Sequence, residues 1–251
     1  EKLAFYEWSV PSEADPADPK NWALANPALG YRISPDYVAS ERLAMSDEHF
    51  KRERLGIWSK VGSSSAIPAD FWAQCFDEKS RAGVEMAFGV DVTPLRDVAT
   101  IALASRRADG NIHIEVIDRR VGTDWVPQRL EELKRKWRPV AMTYTAGSQT
   151  TDVISSSPKT KRMMRGLDHR TYQQACGGFY EALGRAQVRH TGQEELDDAV
   201  QACRRSKGGS ELWSWTRDDR SQDISPLVAC TLALHGLTEK DKKGGSQWAV
   251  L

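Results

Sequence analysis

Residues 86–121 read MAFGVDVTPLRDVATIALASRRADGNIHIEVIDRRV. Apolar Met86, Phe88 and Val90 lead to one carboxylate, Asp91, a Pro-containing turn follows over 93–97, and two more β-rich runs flank Ala108-Asp109-Gly110-Asn111. The pattern predicts a three-stranded antiparallel meander. An acid in mid-strand is unfavourable for β-structure, and burying it unpaired is costly. Asp91 therefore either sits solvated at a strand end or is compensated by a metal ion or another cation.

Downstream, Thr123 and Asp124 can cap a helix over 125–137, with Val126, Leu130, Leu133 and Trp137 on one face. Residues 139–144 read as a short buried strand, and the strand–helix–strand order predicts a right-handed crossover that sets it parallel to the first strand. Residues 145–157, rich in Gly, Ser and Thr and containing Asp152, can be helix or loop. Lys159, Lys161, Arg162 and Arg165 form the clearest basic cluster, either a solvated face or a phosphate contact. Thr171 can cap a helix to 184, and a second helix spans 194–205. Residues 211–217 alternate as a half-buried strand should. Asp218 to Ser221 turn the chain, Asp223-Ile-Ser-Pro opens a helix, and 227–237 is strongly apolar. The charged, Gly-rich tail from 238 to 251 is expected to fray.

Upstream, residues 1–80 read as an arm: a short β-like run over 3–10, a Pro-rich stretch, a helix capped by Ser34 with Pro35 in its first turn, and a helix over 47–58. A flexible tract at 62–65 precedes a short helix over 71–76. Trp8, Trp22, Trp58 and Trp72 are better read as pins for the arm than as base-stacking platforms.

Lys plus Arg and Asp plus Glu number 35 each in 251 residues, so net charge carries no nucleic-acid signal and a basic surface must be local. Cys75, Cys176, Cys203 and Cys230 are too scattered for a zinc or disulfide framework, which fits a reduced cytosolic setting. There is no apolar run of membrane-spanning length and no signal peptide, and the chain opens at Glu1-Lys2-Leu3, so it is read as a fragment of a longer protein, monomeric by itself. No GxxxxGK[ST] loop occurs, so no ATPase activity is expected of it.

A meander, a crossover helix, a fourth strand and a later buried helix with an acidic start are the parts of a ribonuclease H-like α/β fold, a mixed sheet flanked by helices. Its two-metal chemistry holds ions about 4 Å apart between carboxylates that converge from different elements. Asp91 and Asp223 can supply two, although Asp223 can equally be a helix-capping residue.

FGVDVTPLRDVATIAL, QACGGFYEAL, RHTGQEELDDAV and LWSWTRDDRSQDISPLVACTLALHG together resemble the C-terminal nuclease domain of the large terminase subunit of tailed bacteriophages. WALANPALGYRIS and FKRERLGIWSK resemble the segment that joins that family's ATPase to its nuclease. The resemblance implies an arm over 1–80, a nuclease domain over 81–240 and a flexible tail over 241–251. It further implies an endonuclease that cuts concatemeric viral double-stranded DNA with Mg²⁺ or Mn²⁺, two ions being expected. The setting would be the host bacterial cytoplasm and, transiently, the procapsid, with the portal and small terminase subunit as partners of the full motor. Asp91 and Asp223 take the metal-ligand and catalytic roles. The family's aspartate at the end of the fourth strand is matched to Thr143, a poor ligand for a hard dication. Asp152 and then Asp198 are the candidate substitutes. Lys159, Lys161, Arg162, Arg165, Arg204, Arg205 and Lys207 are the expected DNA contacts. A non-catalytic docking module with the same fold is the competing expectation.

Overall fold

The computed structural model describes residues 7–11, 13–45, 47–57, 65–206, 212–218 and 222–244. The chain divides into two compact units, 1–63 and 64–251.

The first unit holds three helices, α1 (Pro19–Ala25), α2 (Pro35–Ala44) and α3 (Asp47–Leu55). Asp18 and Ser34 cap the first two by accepting backbone N–H groups, each followed by Pro in the first turn. Val10, Trp22, Ala25, Val38, Phe50, Leu55 and Ile57 form the unit's own core. Trp22 packs within this unit's own core: its ring meets Phe50 edge-on at 6.0 Å and its N–H donates to the Pro16 carbonyl at 2.8 Å. Residues 7–10 form no strand. Residues 3–6, Trp58 and 62–64 lie outside the described residues.

The second unit begins with α4 (Ala69–Ala73), whose surroundings explain why the unit starts at 64 rather than near 80. Ile67 and Cys75 are buried in the main core, and the Ser65 hydroxyl donates to Val200 O at 2.5 Å. Next come β1 (Met86–Val92), β2 (Val98–Arg106) and β3 (Ile112–Val121), antiparallel in sequence as the meander pattern predicts. Helix α5 (Val126–Trp137) then leads to β4 (Ala141–Thr145), which pairs parallel to β1.

Residues 145–157 turn out to hold α6 (Gln149–Ser155), followed by α7 (Pro158–Met163) and β5 (Arg165–Leu167). Helix α8 (His169–Gly184) starts two residues before the expected cap, because Asp168 rather than Thr171 supplies the capping oxygen. The chain continues through β6 (Val188–Arg189) and α9 (Glu194–Ala202). That helix ends before 205 because β7 (Cys203–Arg205) leaves it to pair with β8 (Trp215–Arg217). Helix α10 (Ser225–Gly244) closes the unit and carries on well into the stretch expected to fray.

The six-stranded sheet has the order β5-β4-β1-β2-β3-β6. Its two faces differ in side-chain size. Phe88, Val90, Ile101, Leu103 and Met142 pack against Val126, Leu130 and Leu133 of α5. The opposite face presents Ala87, Gly89, Ala102 and Ala104 to α10. A Cβ at Gly89 would stand 2.0 Å from the Ala229 carbonyl oxygen, so α10 lies directly on the β1 backbone. The start of this close helix touches the sheet at Thr100 of β2.

Candidate functional site

Alternation along β1 places Asp91 on the same face as Ala87 and Gly89, under α10. It is 6% exposed. In register, Asp91 faces Thr100 of β2, and Thr100 faces Arg119 of β3, so the three form one row across the meander. Arg119 reaches this face through a β-bulge: Ala102 pairs with Val116 and Ile101 with Asp118, so Ile117 is skipped. One extra residue reverses the alternation beyond it. Asp118 and Arg120 consequently turn to the α5 side, where Arg129 of α5 binds Asp118 at 2.6 Å and Arg120 lies 4.8 Å from the Trp125 ring centre.

The start of α10 is fastened over this row. The Thr100 and Ser225 hydroxyls lie 2.7 Å apart in hydrogen-bond contact, and Asp223 Oδ1 accepts the Ser225 N–H at 2.8 Å. Arg119 grips the other oxygen, Asp223 Oδ2, with Nε at 3.0 Å and Nη2 at 2.9 Å. Asp223 thus holds the start of the helix with one oxygen and meets the row through Arg119 with the other.

Burial pushes the Asp91 carboxyl up to about 7, against the Arg217 charge and the Val92 N–H, with the Asp223 charge adding to the rise and the Thr150 hydroxyl opposing it. Thr150, in α6, also accepts the Val92 N–H at 3.1 Å. Tyr172 of α8 is buried, and its phenol is raised well above its usual value by burial, then by Cys176 and by the Asp91 charge. Arg217 of β8 donates to the Gln222 carbonyl at 3.0 Å. The sequence points to Asp91 and Asp223 but not to Arg119, Arg217, Thr150 or Tyr172, which the fold places around them.

Thr143 is not level with Asp91. It pairs with Gly89, is fully buried, and its hydroxyl donates to the Leu232 carbonyl at 2.8 Å, tying β4 to α10. Continuing the register two residues brings Thr145 level with Asp91 on the same face. Thr145 Oγ1 is a buried hydroxyl oxygen without a hydrogen-bond partner. The β4 residue level with Asp91 is therefore Thr145 rather than Thr143.

Of the candidate substitutes, Asp152 is exposed and ion-paired with Arg96, and Asp198 lies exposed on α9. Asp97 accepts from the Thr93 hydroxyl in the turn after β1. Among the described residues no three His, Cys, Asp or Glu side chains cluster as a metal cage. Asp91, Asp223 and the unpartnered Thr145 hydroxyl are the oxygen donors that this end of the sheet could offer to a hard dication.

Among the basic residues, Lys159, Lys161 and Arg162 are exposed along α7. Arg165 is paired with Glu239, and Arg204 with Asp218 at 2.7 Å. Arg205 stands over both Tyr180 and Trp213, at 4.3 and 4.4 Å. Lys207 lies outside the described residues. The last turn of α5 adds Lys134, Arg135 and Lys136. Among the described residues no helix is long and apolar enough to cross a membrane.

Residues 3–132 match the family described as terminase large subunit, endonuclease domain, a span that includes Asp91 and Arg119 and stops before Thr145 and Asp223. The crystal structure of the HK97 bacteriophage large terminase aligns with 91% of this chain and 56% of its own, at 14% identity and TM-score 0.57. This chain thus spans little more than half the length of that relative. The large terminase nuclease from thermophilic phage G20c aligns with 70% of this chain and 97% of its own, at 12% identity and TM-score 0.50. The same G20c nuclease crystallised with bound magnesium covers 68% of this chain and 96% of its own, at 13% identity and TM-score 0.48. No curated protein sequence matches the chain. At these identities the first two likenesses establish the shared fold, a ribonuclease H-like mixed sheet flanked by helices.

Proposed function

The chain belongs to the family of terminase large subunit endonuclease domains, and from that premise we propose that it is a divalent-metal-dependent endonuclease that cuts concatemeric viral DNA during genome packaging. The observation that carries this reading is Asp91: a carboxylate buried under α10, held beside Asp223 at the end of the sheet. Burying Asp91 is costly for a scaffold, whereas a cation site needs a carboxylate there.

Asp91 and Asp223 would hold Mg²⁺ or Mn²⁺, with the Thr145 hydroxyl as a neutral oxygen beside them. The bound ion would supply an activated water and charge neutralisation at the scissile phosphate. The chain's own residues set the geometry. Thr150 and the Val92 N–H fix the Asp91 carboxylate, and the Thr100–Ser225 contact fixes α10, hence Asp223, over the same row. Arg217 offsets negative charge at Asp91. The exposed cations of α7 are the surface for a DNA backbone, and binding there should weaken steeply with salt. Portal and small-subunit contacts, host-cytoplasm location and action at the procapsid belong to the proposed whole motor.

Two observations favour the non-catalytic alternative: both carboxylates already have arginines near them, and the row has threonine, not a third acid, on β4. Plasmid cleavage by the purified protein in Mn²⁺, Mg²⁺ and EDTA decides between the two. The expected result is metal-dependent nicking or linearisation that Asp91→Ala and Asp223→Ala each reduce at least about a hundredfold, as for removal of a charge-stabilising catalytic group. Equal cleavage in Asp91→Ala, or none in either metal, would overturn the nuclease reading.

A further inference from the structure

The two oxygens of Asp223 are not equivalent. Oδ1 accepts the Ser225 N–H at 2.8 Å and is committed to the start of α10. Oδ2 is the oxygen turned toward the row, and Arg119 holds it through two N–H groups at 3.0 and 2.9 Å. A cation binding Asp223 from the row approaches the oxygen that already carries the guanidinium, and two positive groups on one oxygen repel each other. Metal and Arg119 therefore compete for one atom.

Arg119 is placed for this by the skipped Ile117, which turns it from the α5 side to the Asp91 side. Its side chain is 38% exposed, so it can leave Asp223 without losing a buried environment. Its planar fork of donors matches the oxygens of a phosphodiester, as a point-charge lysine would not. Asp97 is another acid within reach of the Arg119 charge, and it already accepts from Thr93.

We propose that Arg119 is a phosphate-positioning residue stored on Asp223, which the incoming metal displaces toward the DNA backbone. The inference rests on the metal-dependent nuclease reading, and it makes the metal-free site a closed one. Metal entry and phosphate binding become coupled through a single side chain.

The test has two arms on the whole chain. In the first, Mn²⁺ affinity is measured by calorimetry for the wild type, Asp91→Ala, Arg119→Gln and Arg119→Lys. Removing a partly exposed competing ion pair should tighten Mn²⁺ about five- to tenfold in Arg119→Gln, with Arg119→Lys between it and the wild type. In the second, duplex DNA binding is followed by fluorescence anisotropy across a salt series, in Ca²⁺ to limit cleavage and in EDTA. Arg119→Gln should lower the salt slope by about one in Ca²⁺ and leave it unchanged in EDTA, where the wild-type arginine is on Asp223. A purely structural arginine would not give that metal-conditional difference.

If the wild type binds no Mn²⁺ in an Asp91-dependent way, the nuclease reading fails and takes this inference with it. If it does bind, but Arg119→Gln binds no tighter, the nuclease reading stands and the competition is refuted. An unchanged salt slope in Ca²⁺ would place the released arginine elsewhere, on Asp97 for instance, and would overturn its phosphate role. Should Arg119→Gln fail to fold, Arg119→Lys decides alone: Mn²⁺ affinity equal to wild type overturns the proposal.

Discussion

The two faces of the central sheet solve different problems with the same strands. Toward α5, Phe88, Val90, Ile101, Leu103 and Met142 fill space with apolar volume, and every contact is replaceable by another of similar shape. Toward α10, Ala87, Gly89, Ala102 and Ala104 withdraw, and the helix backbone comes down onto the strand. That closeness lets a residue at the start of α10 share a site with one in β1. It also makes the face intolerant, because backbone cannot repack as a side chain can.

The largest effect should therefore come from a single methyl group. Gly89→Ala sets a Cβ 2.0 Å from Ala229 O and 2.6 Å from Ala233 N, so α10 must lift. We expect a loss of more than about 3 kcal/mol, at or above the upper end of overpacking costs. Met142→Leu, in the neighbouring strand but on the other face, should cost less than about 1.5 kcal/mol. Urea unfolding of the two variants measures both. Similar midpoints would dissolve the contrast between the faces.

Comparable in size, and more informative about the site, is the comparison of two threonines on one strand. Thr143→Asp would bury a carboxylate where the hydroxyl now donates to Leu232 O, with an expected cost of about 3–5 kcal/mol. Thr145→Asp adds its carboxylate level with Asp91 and should tighten Mn²⁺ at least about tenfold, because ligand charge sets the affinity of hard-cation sites. The readouts are thermal unfolding in EDTA and Mn²⁺ calorimetry. Tighter Mn²⁺ in Thr143→Asp rather than Thr145→Asp would mean that the register argument has chosen the wrong residue.

That pair also marks what the sequence could and could not tell. The meander was legible from its alternation and its turns, and Asp91 from being an acid in an apolar run. Asp223 was legible because Ser225 and Pro226 announce a helix start. The choice between Thr143 and Thr145 was not, since both alternate onto one face and only pairing with a strand about fifty residues away in sequence fixes the level. Arg119 was hidden by the bulge, and the one local hint is the adjacent apolar pair Val116-Ile117, which breaks strict alternation. Arg217 and Tyr172 arrive from elements distant in the chain, and nothing in their neighbourhoods encodes that meeting. β5 and β6, at three and two residues, are too short to carry a periodic signal.

The subtlest test concerns what the close-packed face costs the protein without metal. In EDTA the folded chain keeps the Asp91 proton up to about 7, while an unfolded chain releases it near 3.8. Between those values the folded state binds more protons than the unfolded one, so stability must fall as pH rises through the window and level off above it. A shift of this size corresponds to at most about 4 kcal/mol, and compensation by Arg217 in a relaxed structure should reduce it. Asp91→Asn removes that proton equilibrium. The variant should therefore gain on the wild type as pH rises from 4 to 8, and unfolding midpoints at pH 4, 6 and 8 read the difference directly. Curves that stay parallel would show that Asp91 is already compensated in the metal-free fold, and the main physical reason for placing a cation there would be gone. A widening gap that Mn²⁺ then narrows in the wild type alone would tie the strain of the α10 face to the ion it is built to receive.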